Sequence, residues 1–224
     1  MIIASNIEKS YGPQTLFEEV SFLINKGERI GLVGKNGTGK STLFRMILGL
    51  ESLDSGILST PKGYRIGALE QHIHFTQPTV LKECIEALPP EKQWDHYKAE
   101  IILSGLGFSE QDFEKDPATF SGGFQVRINL CKALLADPNM LLLDEPTNYL
   151  DILSLRWLKE YLNKWPGEMM LITHDRDFMD NVTTHTLGLH RKQARKVKGG
   201  TIKFYEMMIQ EEETYEQTRK NLEN

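Results

Sequence analysis

Cysteine is scarce in this sequence: Cys84 and Cys131 are the two that occur in 224 residues. They stand far apart and outside any metal-ligand spacing. Both fall in apolar-periodic stretches, so buried free thiols are expected rather than a disulfide framework or a zinc site. Long apolar runs are lacking too, and the first residues have neither the basic start nor the apolar core of a signal peptide. A cytoplasmic location without direct membrane insertion is expected, any action at a membrane being exerted through a partner. Positive charge is short: 26 Lys and Arg against 31 Asp and Glu leave −5, so bulk charge does not advertise nucleic-acid binding. His72 and His74 alternate with no further ligand nearby, which makes a poor zinc site and reads as loop.

What is present is Gly34–Ser41, GKNGTGKS, which fits G-x-x-x-x-G-K-[ST], a phosphate-binding loop. Ahead of it, residues 29–33 are a short apolar run suited to a buried strand. Behind it, Leu43, Ile47 and Leu50, with Phe44 and Leu48 beside them, recur at helical spacing. Gly34, Gly37 and Gly39 let the backbone turn tightly and bring N–H groups against phosphate oxygens. The helix that begins near Lys40 points its positive end at the same anion. Lys40 adds a full charge for the β- and γ-phosphates, and the Ser41 hydroxyl is placed to ligate Mg²⁺. The run Gly34, Lys35, Asn36, Gly37, Thr38, Gly39, Lys40, Ser41 and Thr42 is therefore the candidate nucleotide-binding segment. With 40% hydrophobic and 25% charged residues, the chain suits one globular α/β unit with room for two lobes.

Residues 2–33 read as β-rich, with turns at Tyr11-Gly12 and Asn25-Lys26-Gly27. Alone, Tyr11 is a packing residue; ahead of a phosphate loop it can stack on a purine ring. Short strands follow at Ile57-Leu58 and residues 64–69, ending at Glu70-Gln71. Gln71 is either a polar strand-end residue or a group that reaches Mg²⁺ and the attacking water. Residues 79–116 change character. A helix carrying Val80, Leu81, Cys84, Ile85 and Leu88 ends at Pro89-Pro90, and another carries Trp94, Tyr97 and Ile101. This reads as a helical insertion in an α/β core.

Ser121-Gly122-Gly123 opens a helix whose apolar stripe is Ile128, Cys131, Leu134 and Leu135. Ser121 is a good N-cap. The start is either an ordinary cap or a second phosphate-binding helix terminus. The run Met140-Leu141-Leu142-Leu143 suits a strand buried on both faces, and it ends in Asp144-Glu145. Two carboxylates there are costly unless they face metal or solvent. Asp144 is expected to hold Mg²⁺ and Glu145 to polarise the attacking water. A further apolar strand, residues 169–173, ends in His174, which either caps the next helix or touches a γ-phosphate. Six of the thirteen residues from Arg191 to Lys203 are Lys or Arg, a cluster that a solvated hairpin explains as well as nucleic acid does. The tail from Tyr205 reads as helical and acidic. It reaches Asn224 without an obvious cap, and a half-molecule is expected.

These residues together resemble the ATP-binding cassettes. Gly34–Ser41 is similar to Walker A, Gln71 to the Q-loop glutamine, and Ser121-Gly122-Gly123 to the signature motif. Residues 141–145 are similar to Walker B, Leu150-Asp151 to the D-loop and His174 to the switch histidine. By the same resemblance Tyr11 is similar to the adenine-stacking aromatic. Within that superfamily the chain resembles the ABC-F group, soluble proteins with two cassettes in one chain that work on ribosomes. The signature reads Phe120-Ser121-Gly122-Gly123-Phe124 rather than ending in glutamine, and residues 144–151 match DEPTNxLD. The resemblance implies a P-loop NTPase fold of the cassette type. A cassette over residues 1–190 would have an N-terminal β-subdomain and a helical subdomain near 79–137, followed by linker-like residues 191–224. It also implies ATP and Mg²⁺ as ligands, slow ATPase activity for the lone cassette, a second cassette as partner, and contact with ribosome and tRNA. Only 49 residues separate Gln71 from Ser121, which leaves little room for the arm that some members insert. The competing expectation is the ATPase subunit of a membrane transporter. A third, a non-enzymatic regulator, is disfavoured by the presence of Glu145 and His174.

Overall fold

The computed structural model describes residues 1–69 and 74–211 of the chain. From the N-terminus run β1 (Ile2–Tyr11), β2 (Gln14–Ile24), β3 (Arg29–Gly34), α1 (Lys40–Ile47), β4 (Ser55–Ser59) and β5 (Ile66–Ala68). A helical stretch follows with α2 (Val80–Ile85), α3 (His96–Gly105) and α4 (Gly122–Leu135). The chain then alternates through β6 (Met140–Asp144), α5 (Ile152–Lys164), β7 (Glu168–Ile172), α6 (Arg176–Val182), β8 (His185–His190) and β9 (Gln193–Lys198). Residues 201–211 form a further helix.

Two sheets organise these elements. The smaller is antiparallel, in the order β2-β1-β4, and the larger runs β5-β6-β7-β3-β8-β9. In the larger sheet every pairing is parallel except the last, β8 with β9. The apolar run at residues 140–143 needs no polar partner because both its faces are covered. Met140 and Leu142 join the core beneath the small sheet and α1. Leu141 and Leu143 join the core shared with α4, α5 and α6. Alternation of side chains across a strand sends them to opposite cores, and helices on the far face make the parallel sheet possible. The expected α/β architecture with a β-rich N-terminal part and a helical insertion is the one observed.

One local expectation needs correction. Trp94, Tyr97 and Ile101 do not form the packed face of α3; they are 92%, 55% and 54% exposed, while Ala99, Ile102 and Leu103 are buried. Apolar residues lie on both sides of this helix, so spacing alone selected the bulkier and wrong set. Tyr97 and Ile101 instead line a surface groove of about 890 Å³. In α5, Leu158 and Leu162 are fully buried, while Ile152 at its start is 70% exposed. The basic stretch after Arg191 is a hairpin strand on the sheet edge. Lys192, in the turn before β9, pairs with Glu18 on β2, and Lys196 pairs with Glu28 in the turn before β3.

Candidate functional site

At the carboxyl ends of the parallel strands, β3 turns through residues 34–39 into α1. Gly37 and Gly39 have φ of 80° and 99°, a region where a side chain is strained. A Cβ on Gly39 would also lie 2.7 Å from the Phe17 ring, so the loop can seat on β2 only with glycine there. Lys40 opens α1 and folds back over the loop, its Nζ donating to the carbonyls of Gly34 (2.8 Å) and Lys35 (3.2 Å). The Thr38 hydroxyl closes the loop on Lys35 O at 2.9 Å.

Strand β6 brings two acids to the loop, and its neighbour β7 brings a histidine. The Ser41 hydroxyl donates to Asp144 Oδ2 at 3.0 Å, joining α1 to the end of β6. Glu145 follows with φ 50°, its backbone N–H donating to Ile172 O at 2.8 Å. That bend aims the carboxylate at the end of β7, where the His174 backbone N–H donates to Glu145 Oε2 at 3.3 Å. His174 Nε2 stands 3.4 Å from Oε1. The capping role considered for His174 belongs to Asp175, whose side chain accepts from Phe178 N at 2.9 Å.

A cleft of about 530 Å³ is lined by Tyr11, Asn36, Gly37, Gly39, Lys40, Ser41, Thr42, Asp144, Glu145 and His174, with Gln14, Leu16 and Ile172. Tyr11 stands at its rim, 45% exposed, with Lys9 Nζ 5.1 Å from its ring centroid. Lys35 and Thr38 belong to the same loop. Gln71 lies outside the described residues, as does His72. Ser121, Gly122 and Gly123 do not line the cleft. They sit at the exposed start of α4, and Ser121, placed at the N-cap, makes no side-chain capping bond.

Sequence reasoning missed Arg127. Its guanidinium is buried in α4, donating to Tyr149 O (2.8 Å) and Leu106 O (2.8 Å) and pairing with Asp151 at 3.0 Å. It thereby fixes the turn after Glu145 to the helix that carries Ser121. It also lies 4.5 Å over the ring of Phe124, which packs edge-on to Phe108 at 5.1 Å and near Phe120 at 5.9 Å. The aromatic that departs from the usual glutamine is thus part of the packing that seats α4. The only sequence signal for Arg127 was a charge among apolar neighbours of one helix, Ile128, Leu130 and Cys131.

The profile of a family described as "ABC transporter" matches residues 17–148. The "Uncharacterized ABC transporter ATP-binding protein YfmR" of Bacillus subtilis is 35% identical, over 99% of this chain and 41% of that protein. The "Energy-dependent translational throttle protein EttA" of Escherichia coli K12 is 38% identical, over 94% of this chain and 37% of that one. The chain thus spans about two fifths of the length of these relatives. Among solved structures, an ATP-binding subunit of an ABC transporter superposes with a TM-score of 0.77, at 23% identity over 88% of this chain and 90% of that one. A dimeric ATP-binding cassette in a post-hydrolysis state with ADP and phosphate superposes with a TM-score of 0.70, at 23% identity over 88% and 98%.

Proposed function

Because the chain belongs to the ABC transporter family and is an ATP-binding cassette, we propose that it hydrolyses ATP in a sandwich closed by a second cassette, within an ABC-F protein that acts on ribosomes. One observation carries the reading. The cleft gathers the phosphate loop, Asp144, Glu145 and His174, while Ser121 and Gly122 are exposed and, with Gly123, do not line it. A second cassette would supply that missing face. Closure would also exclude water from the phosphates.

Phosphate oxygens would replace the Gly34 and Lys35 carbonyls as partners of Lys40 and meet the loop N–H groups. Tyr11 would stack on the base at the rim. Ser41 Oγ and Asp144 Oδ2, already 3.0 Å apart, are hard oxygen donors that fit Mg²⁺, with Gln71 as a further ligand. When bound, that ion neutralises charge on the β- and γ-phosphate oxygens. Glu145 would take a proton from the attacking water, and His174, held against it at 3.4 Å, would contact the γ-phosphate.

The ribosomal part of the reading draws on the match of residues 144–151 to DEPTNxLD and on the name of EttA, a translational throttle at 38% identity. The transporter-subunit alternative draws on the name of YfmR at 35% identity. Glu145→Gln should bind ATP at wild-type affinity, lose turnover and co-sediment with ribosomes in an ATP-dependent way. Turnover at the wild-type rate would remove Glu145 from the chemistry. Pairing of the chain with itself on ATP, without ribosome binding, would favour the transporter reading.

A further inference from the structure

Lys9 is a buried charge that the chemistry above does not use. It lies on β1, 5% exposed, two residues before Tyr11. An ammonium leaves water at a cost, and it stays inside a fold where acids or carbonyls replace that water. Lys9 Nζ meets three such groups, all in the segment that follows α1. They are Ser52 O at 2.9 Å, Glu51 Oε1 at 2.8 Å and Asp54 Oδ1 at 3.5 Å. The other oxygen of Asp54 accepts from the Ser10 backbone N–H at 2.7 Å, and Asp54 N donates to Glu8 O at 3.0 Å. Residues 8–10 are therefore tied one by one to residues 51–54. Strand β1 also departs from its register with β2 on both sides of Lys9. Bulges of this kind re-aim side chains; here Lys9 is turned into the fold and Tyr11 out to the rim of the cleft.

Tyr11 is held by the same charges. The Lys9 ammonium stands over its ring, 5.1 Å from the centroid. The Tyr11 hydroxyl donates to Glu51; Lys9 first, and that hydroxyl after it, hold the Glu51 carboxyl below its usual range. Arg45, on α1, reaches Glu51 at 3.5 Å. The ring and the hydroxyl of this half-exposed tyrosine are thus both engaged. The cation takes one face of the ring and leaves the other for a base. Through residues 51–54 the ring is referred to α1, the helix that starts at Lys40 and Ser41. A nucleotide must match the distance from base platform to phosphate site, and a ring ordered beforehand loses no freedom on binding. We propose that Lys9 is a positioning residue for the base: with Glu51 and Asp54 it fixes Tyr11 to the segment after α1, and so sets the affinity for the base half of ATP without touching the nucleotide. This rests on the reading of the cleft as the ATP site with Tyr11 against the base.

Calorimetric titration in Mg²⁺ with ATP and with inorganic tripolyphosphate, which has the phosphates and no base, tests it. Tyr11→Ala should weaken ATP binding about tenfold and leave tripolyphosphate binding unchanged. Lys9→Met keeps the stem and removes the ammonium. It should reproduce about fivefold of that loss, again with tripolyphosphate unchanged. In the Tyr11→Ala background it should weaken ATP binding no further. A Lys9→Met protein that binds ATP like the wild type, while Tyr11→Ala does not, overturns the inference and leaves Tyr11 at the base. Equal weakening of ATP and tripolyphosphate by Lys9→Met also overturns it, because Lys9 would then serve the phosphate loop or the fold. If Lys9→Met does not fold, Glu51→Gln takes its place with the same expected split, and wild-type ATP affinity in that variant overturns the inference. Tyr11→Ala binding ATP like the wild type removes Tyr11 from the base, and both readings fall.

Discussion

Lys40 is the lysine of the phosphate loop that lines the cleft, and in the structure it is spent on two carbonyls of its own loop. Lys40→Ala should therefore weaken ATP binding on the order of 100-fold, while the fold, which does not depend on those two bonds, should keep its melting temperature. Titration calorimetry alongside thermal unfolding separates the two effects. Glu28 makes a different prediction. Burial raises its pKa, but Asn25 and Lys196 outweigh burial and bring it down to about 2. The folded value lies below the unfolded one, so the stabilisation is complete above about pH 4.5 and is lost as pH falls toward 2. It amounts to about 3 kcal/mol at most. Urea unfolding of Glu28→Gln against wild type should show a stability gap at pH 6 that has narrowed to about half by pH 3 and closes only as pH falls through about 2; a constant gap would contradict the assignment.

Among the elements, α4 joins the most functions. Its first turn carries Ser121–Gly123, and behind them Arg127 holds Tyr149 and Asp151. Arg127→Met keeps the bulk and removes the charged donors. It should cost about 2 kcal/mol of stability and raise protease sensitivity first around residues 147–151. Equal cleavage of wild type and variant in that turn would show that the turn holds without Arg127. The same helix shows where a sequence can be read and where it cannot. Its apolar stripe was legible because Ile128, Cys131, Leu134 and Leu135 all face one core. Strand β6 was legible because a run without polar residues leaves no solvent face. The phosphate loop was legible because its geometry is set locally by glycines. Arg127 was not, because its partners come from residues 106, 149 and 151, which only the tertiary fold brings near. The exposed face of α3 was misread because both its faces carry apolar residues, and periodicity does not say which one meets the core.

The molecule as a whole is an ATP-binding cassette with one open side. Among the described residues no helix is long and apolar enough to cross a membrane, and the curated relatives are more than twice as long. A second cassette, from the rest of a longer chain or from a second copy, is the partner proposed for the site. The central claim is that nucleotide bound at Lys40 is hydrolysed only when Ser121–Gly123 of another cassette close over it. It is tested most directly by ATP turnover per chain as a function of chain concentration, with light scattering on the same samples. The account predicts slow turnover wherever scattering shows monomers, rising as pairs form or as a second cassette is added. Rapid, concentration-independent turnover by the monomer would contradict it.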